Sequence, residues 1–179
     1  MRRRPLGIFA LGLILAAATA RAQDAAPAAA DAPPVVSPVG SEPQPEPSPV
    51  RWEGATAFLG SVRLDSATKT VFATGWVNQI DGPIEVLACG LKGKVHESVF
   101  VLALNPLDLQ AALLLAGLKG GDPMPGLGEG PPNGAPVDLF VDWRAGEESR
   151  SARAESFVWN AEAGAVLPET PWTFTGSVV

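Results

Sequence analysis

From Arg51 onward the apolar residues fall mostly in short runs separated by turn-forming residues, a pattern of strands rather than of helices. It predicts strands at Ala57 to Leu64, Thr70 to Val77, Ile84 to Cys89, Val95 to Leu102, Val137 to Trp143, Ala154 to Trp159 and Trp172 to Val178. Asp81-Gly82-Pro83 and Gly90 to Gly93 carry turn chemistry, and Asp65 to Lys69 is a polar loop. Connections this short favour antiparallel neighbours. One helix interrupts the strands: Asn105 suits an N-cap, Pro106 the first helical position and Asp108 the first turn, while Gly120-Gly121 follow Lys119 at the far end. Its body, LDLQAALLLAGL, is apolar almost all round, so the helix is expected to lie largely buried across the sheet. The expected fold is α+β, a mainly antiparallel sheet of about six to seven short strands packed on one buried helix. The Gly- and Pro-rich stretch from Gly120 to Pro136 reads as a long mobile loop.

Before Arg51 the pattern changes twice. Arg2, Arg3 and Arg4 precede an apolar run from Leu6 to Ala18, and Ala20-Arg21-Ala22 follows. That is the layout of a secretory signal peptide over residues 1–22, with cleavage expected after Ala22. The run is shorter than the roughly 20 residues of a membrane-spanning helix. No cysteine lies near the cleavage point to carry a lipid, so no stable membrane anchor is expected after cleavage. The arginines also fit a twin-arginine route, although Pro5-Leu6-Gly7 lacks the pattern that usually follows them. Residues 23–50 are Ala, Pro and acidic residues with little to bury, a semi-extended disordered linker. Residues 51–179 then form one domain, expected in the periplasm or outside the cell, with no internal repeat.

Charge narrows the partners. Cleavage removes four of the 13 basic residues and none of the 19 acidic ones, leaving nine against 19, a net charge of −10. Such a chain repels nucleic acid and anionic lipid, so the expected partner is a protein or a small-molecule ligand. The single cysteine cannot close an intramolecular disulfide or ligate an iron–sulfur cluster alone, and no cofactor is expected.

The stretch IEVLACGLKGKVHESVFVL, Ile84 to Leu102, holds that cysteine and the only histidine. If Gly90 and Gly93 face each other across a hairpin turn, Cys89 faces Lys94, Leu87 faces His96 and Glu85 faces Ser98. The candidate reactive face is then Cys89, Lys94, His96 and Ser98, with Glu97 on the opposite face among Val86, Ala88, Val95, Val99 and Val101. That valine-rich face is expected to be the core face. On the reactive face a Cys89 thiolate activated by His96, with Lys94 lowering its pKa and Ser98 or Glu85 orienting the imidazole, forms a nucleophile. The plainer reading is a half-buried hairpin whose cysteine packs and whose histidine makes one hydrogen bond. A metal site would need ligands that spacing does not supply.

Cys89 with Lys94-Val95-His96-Glu97-Ser98, followed by the proline-initiated Leu-rich helix, resembles the YdjY-like domain of exported bacterial proteins. Pro136-Val137, Trp143-Arg144, Arg153-Ala154-Glu155 and Trp172 to Ser177 fit the same likeness, which spans about Thr56 to Val179. The resemblance implies no reaction, since the family has no assigned biochemical function and no catalytic roles pass to these residues. Similar sequences continue past the Trp172 strand with a further strand-forming stretch. The resemblance therefore implies either a truncated chain or a sheet edge used for pairing. The leading functional expectation is a non-enzymatic exported module that binds through the hairpin face or the glycine loop. The alternatives are an extracytoplasmic hydrolase or transferase using Cys89 and His96, and a metal-binding domain.

Overall fold

Alternating strands bury one face, and here the cover is a single helix and a short 3-10 turn. The structure, a computed structural model, describes residues 11–17, 46–121 and 132–176, the first of these by backbone and pairing alone. The strands in chain order are β1 (Leu11–Ala17), β2 (Val50–Glu53), β3 (Thr56–Leu59), β4 (Val62–Asp65), β5 (Thr70–Val77), β6 (Val86–Gly90) and β7 (Ser98–Leu102). Helix α1 (Pro106–Leu115) follows, then β8 (Ala135–Ala145), β9 (Glu148–Arg153), β10 (Trp159–Asn160), β11 (Ala165–Val166) and β12 (Trp172–Phe174).

Among the described residues ten strands form one sheet, ordered β12-β8-β1-β5-β4-β3-β2, with β7 on β5, β6 on β7 and β9 on β8; β10 and β11 pair separately. Most pairs are antiparallel, as connections of a few residues require, but β6 and β7 run parallel. The core gathers Ala57, Leu59, Val62, Leu64, Val71 and Ala73 of the meander with Phe100 and Leu102 of β7, Ala112 and Leu113 of α1, and Val137 and Val141 of β8. Phe157, in the 3-10 turn Ala154–Phe157, bridges the two halves: its ring stands edge-on to Phe100 at 5.3 Å and to Trp143 at 5.8 Å.

Helix α1 begins where its cap chemistry says it should. The Asn105 side chain accepts from the Leu107 amide, and Pro106 supplies a first-turn position that needs no donor. It ends a turn before Gly120, at Gly117, whose φ of +94° a side-chain-bearing residue rarely adopts. The helix is also less buried than expected, since Leu114 and Leu115 are about half exposed while the carboxylate of Asp108 is fully enclosed. Asp108 accepts from the Ser48 amide at 2.6 Å and the Ser48 hydroxyl at 2.9 Å, clasping the end of the linker onto the helix. Gly60 completes the clasp, for a Cβ there would lie 2.4 Å from Asp108 Oδ2. Ser48, just before Arg51, thus packs against the helix.

Other expectations shift for local reasons. The predicted strand from Ala57 to Leu64 is two strands folded at Gly60-Ser61, where Gly60 takes φ +54°. Among the described residues the count of six to seven strands is too low, because β1, β2 and polar β9, ESRSAR, also join the sheet, the last by pairing along β8 without any apolar pattern. Ala154 to Phe157 is the 3-10 turn rather than a strand, its apolar residues capping the core. The apolar run read as a signal peptide contributes β1, antiparallel to both β5 and β8. Most of the linker and Asp122 to Pro131 of the glycine loop lie outside the described residues.

Candidate functional site

The Cys89–His96 stretch is not a hairpin. Val86 pairs with Ser98, Ala88 with Phe100, Cys89 with Val101 and Gly90 with Leu102, all in parallel register. Residues 91–97 therefore run back beside β6 before β7 begins. Parallel crossovers usually need a dozen residues or more, and several bonds make this one short. The Gly93 amide donates to Gly90 O at 2.9 Å, the Val95 amide to Gly93 O at 2.8 Å, and the Glu97 amide to Lys94 O at 3.1 Å within a 3-10 turn, Val95–Glu97. From β5's far end, the Asn78 side chain donates to Val95 O and Ser98 O, binding the turn to the strand it feeds.

This topology redistributes every residue of the candidate face. Cys89 is half-buried in a row with Val101 and Trp76, which are register partners across β6, β7 and β5. Gly93 lies over it: a Cβ at 93 would stand 2.8 Å from Cys89 Cβ and 3.3 Å from Sγ. Lys94 is not opposite the thiol. Its ammonium pairs with Glu85 and lies 3.5 Å from Glu97 Oε2, and Glu85 holds it above its ordinary pKa. The same hydrogen bond and charge lower Glu85. His96 projects from the turn with its side chain 79% exposed, 3.5 Å from Glu97 Oε1. Ser98 is fully buried and donates to Phe100 O at 2.6 Å, so its hydroxyl orients no imidazole. Glu97, assigned to the opposite face, sits with Lys94 and His96 instead.

The expected core face is only part of what is buried here. Strand β7 lies between β5 and β6 and all five of its residues are buried, so both of its faces are covered. Val99 of the expected face belongs to the main core together with Phe100 and Leu102 of the other face, whereas Val101 lies outside that cluster.

A second concentration of charge carried no role in the sequence reading, although Arg153-Ala154-Glu155 stood out as a motif. Arg153 donates two bonds to Glu155, one to Asp138 and one to Thr170 O, and its guanidinium lies 5.3 Å from the centre of the Phe140 ring. The Trp172 indole donates to Glu155 Oε1 at 3.1 Å. Burial alone would raise the Glu155 carboxyl, but Arg153, a backbone amide and Trp172 outweigh it and hold the group below its ordinary value. These bonds tie the β9 corner to β8 and β12.

Chemically, the arrangement offers an exposed imidazole, an exposed Leu91, a lattice of paired charges among Glu85, Lys94 and Glu97, and a half-buried thiol. Among the described residues no group of three or more His, Cys, Asp or Glu could hold a metal ion. The family model described as the YdjY domain matches residues 62–179. No curated protein and no solved structure matches the chain.

Proposed function

The chain belongs to the YdjY domain family, and from that premise we propose that it is an exported, non-enzymatic binding module. It works in the periplasm or outside the cell, where the arginine-led apolar N-terminus sends it, and the acidic mature chain engages a protein or small-molecule partner rather than nucleic acid. The surface assigned to binding is the 91–97 crossover. The observation that carries the reading is the engagement of Lys94 with Glu85 and Glu97, with Gly93 lying over Cys89. The cation that would activate a thiol is committed to carboxylates, and the imidazole stands on an exposed turn. Leu91 and His96, both well exposed at that turn, are side chains a partner can cover.

Thiol labelling of the folded protein tests the enzymatic alternative. Slow labelling that accelerates on adding denaturant is expected. Fast labelling in the folded state, with an apparent pKa well below the ordinary thiol value of about 8.5, would favour a Cys89 nucleophile instead. A photo-reactive residue at position 91, introduced in an exporting bacterium, tests binding directly, with a discrete adduct expected and its absence counting against this surface.

A further inference from the structure

Strand β2 is paired on one side only: among the described residues β3 is its one neighbour, and all four of its residues are exposed. Its sequence, VRWE, alternates apolar side chains with charges of opposite sign. Val50 and Trp52 share a face with their register partners Leu59 and Ala57, which are fully buried in the core, yet are themselves about half exposed. Helix α1 packs on β3, β4 and β5, so these two side chains carry the core face out to the sheet edge. Arg51 and Glu53 lie on the opposite face, both well exposed and paired with each other.

The hairpin turn decides which main-chain groups that edge offers. Glu53 and Thr56 flank the two-residue turn Gly54-Ala55, where Gly54 has φ +60°, and so form a bonded pair. Bonded and non-bonded pairs alternate along the ladder. Trp52↔Ala57 is therefore non-bonded, and the amide and carbonyl of Trp52 point outward from the sheet.

We infer that β2 is the contact between two copies of this chain, which pair edge to edge and antiparallel about a two-fold axis through Trp52. In that register Trp52 exchanges both main-chain bonds with Trp52 of the partner subunit. Arg51 stands opposite the partner's Glu53, and Glu53 opposite the partner's Arg51, in non-bonded pairs, where side chains approach closest. Val50 and Trp52 of both copies then meet on one face and cover each other. A shift of one residue would set the core face of one copy beside the opposite face of the other. A shift of two would put Arg51 against Arg51, or Glu53 against Glu53. Charges on a sheet edge ordinarily deter pairing, and here their order of sign permits one register.

The exposed ion pairs supply register more than strength. A four-residue edge with one tryptophan from each copy lies at the small end of specific interfaces, so the dimer is a weak one with a micromolar dissociation constant. β2 and β12 stand at opposite ends of the strand order, with β1 between them, so the contact uses neither and does not rest on the export reading.

Sedimentation equilibrium of the purified protein from about 1 to about 500 µM tests this. The mass is expected to rise from one chain toward two, and the Trp52 amide to exchange more slowly at the high concentration than at the low one. Arg51→Glu opposes two acidic pairs and Glu53→Arg two basic ones, so each variant alone is expected to dimerise about tenfold more weakly. Mixed in equal amounts, the two variants oppose unlike charges again and are expected to associate as the wild type does, which local damage from either substitution would not produce. A mass that stays at one chain throughout, or a mixture no tighter than the separate variants, would overturn the inference. So would a Trp52 amide protected equally at every concentration, the sign of another segment lying on that edge.

Discussion

Arg153→Met isolates the buried charge network. It removes the guanidinium from a carboxylate, that of Glu155, whose side chain is only 2% exposed, and leaves it the Trp172 indole as its remaining side-chain donor. Stripping one partner from a buried ion pair costs about 3 to 5 kcal/mol, because the surviving charge has lost both its hydration and its counter-charge. Arg153 is itself 16% exposed, so some water reaches the vacated space and the low end, about 3 kcal/mol, is expected. With a urea m-value of about 2 kcal/mol/M, the unfolding midpoint falls by roughly 1.5 M. The diagnostic comparison is with Arg153→Met/Glu155→Leu. Removing both charges removes the desolvation penalty, and the double variant is expected to be more stable than the single one despite carrying two substitutions. A double variant as unstable as the sum of its parts would refute the argument. So would a single variant within about 1 kcal/mol of wild type, which would assign the network to a hydrated surface.

The same carboxylate sets a pH dependence. Glu155 is held below its ordinary value of 4.5 in the folded state, so its contribution is present above about pH 4.5 and is lost as pH falls through the lower folded value; acid titration of unfolding should show a shallower acid limb in Glu155→Gln. Asp108→Ala removes two bonds to Ser48 and a first-turn charge from α1, with an expected loss of about 2 kcal/mol in denaturant unfolding and faster proteolysis near Ser48. Gly93→Ala places a methyl 2.8 Å from Cys89 Cβ and 3.2 Å from Gly90 O, so the crossover must shift; a loss of about 1 to 3 kcal/mol and faster thiol labelling of the folded protein are expected. Asn78→Asp turns the carboxylate toward two carbonyls in place of a donor and should destabilise more than Asn78→Ala, measurable by the same unfolding curves.

What was legible in the sequence was whatever is decided locally. Strand β5 is found at its predicted limits, a run rich in β-branched and aromatic residues with Val71, Ala73 and Gly75 buried and Thr74 and Trp76 exposed. Helix α1 starts at Pro106 because Asn105 caps it by contacts two residues away. Features decided by distant partners were not legible. β9 is a strand through its register with β8, not through its polar side chains. In the Ala154–Phe157 turn, Ala154 and Phe157 are core residues because they lie over β7 and β8, whose positions are set by other parts of the chain.

The candidate site failed on the same distinction. Gly90-Leu91-Lys92-Gly93 satisfies the local rules for a hairpin turn. The deciding group is Asn78, twelve residues before Gly90, whose amide binds Val95 O and Ser98 O and holds the chain where β7 must start. With β7 then paired to β5 on one side, β6 joins on the other in the same direction, and every side-chain neighbour changes. Cys89 gains Val101 and Gly93 instead of Lys94, and His96 moves from a strand to a turn. Five consecutive buried residues from Ser98 to Leu102 are the visible trace of this arrangement, since a hairpin arm with one solvated face would alternate. The unbroken apolar run from Val99 to Leu102 is the sequence mark of a central strand rather than of an arm with one wet face.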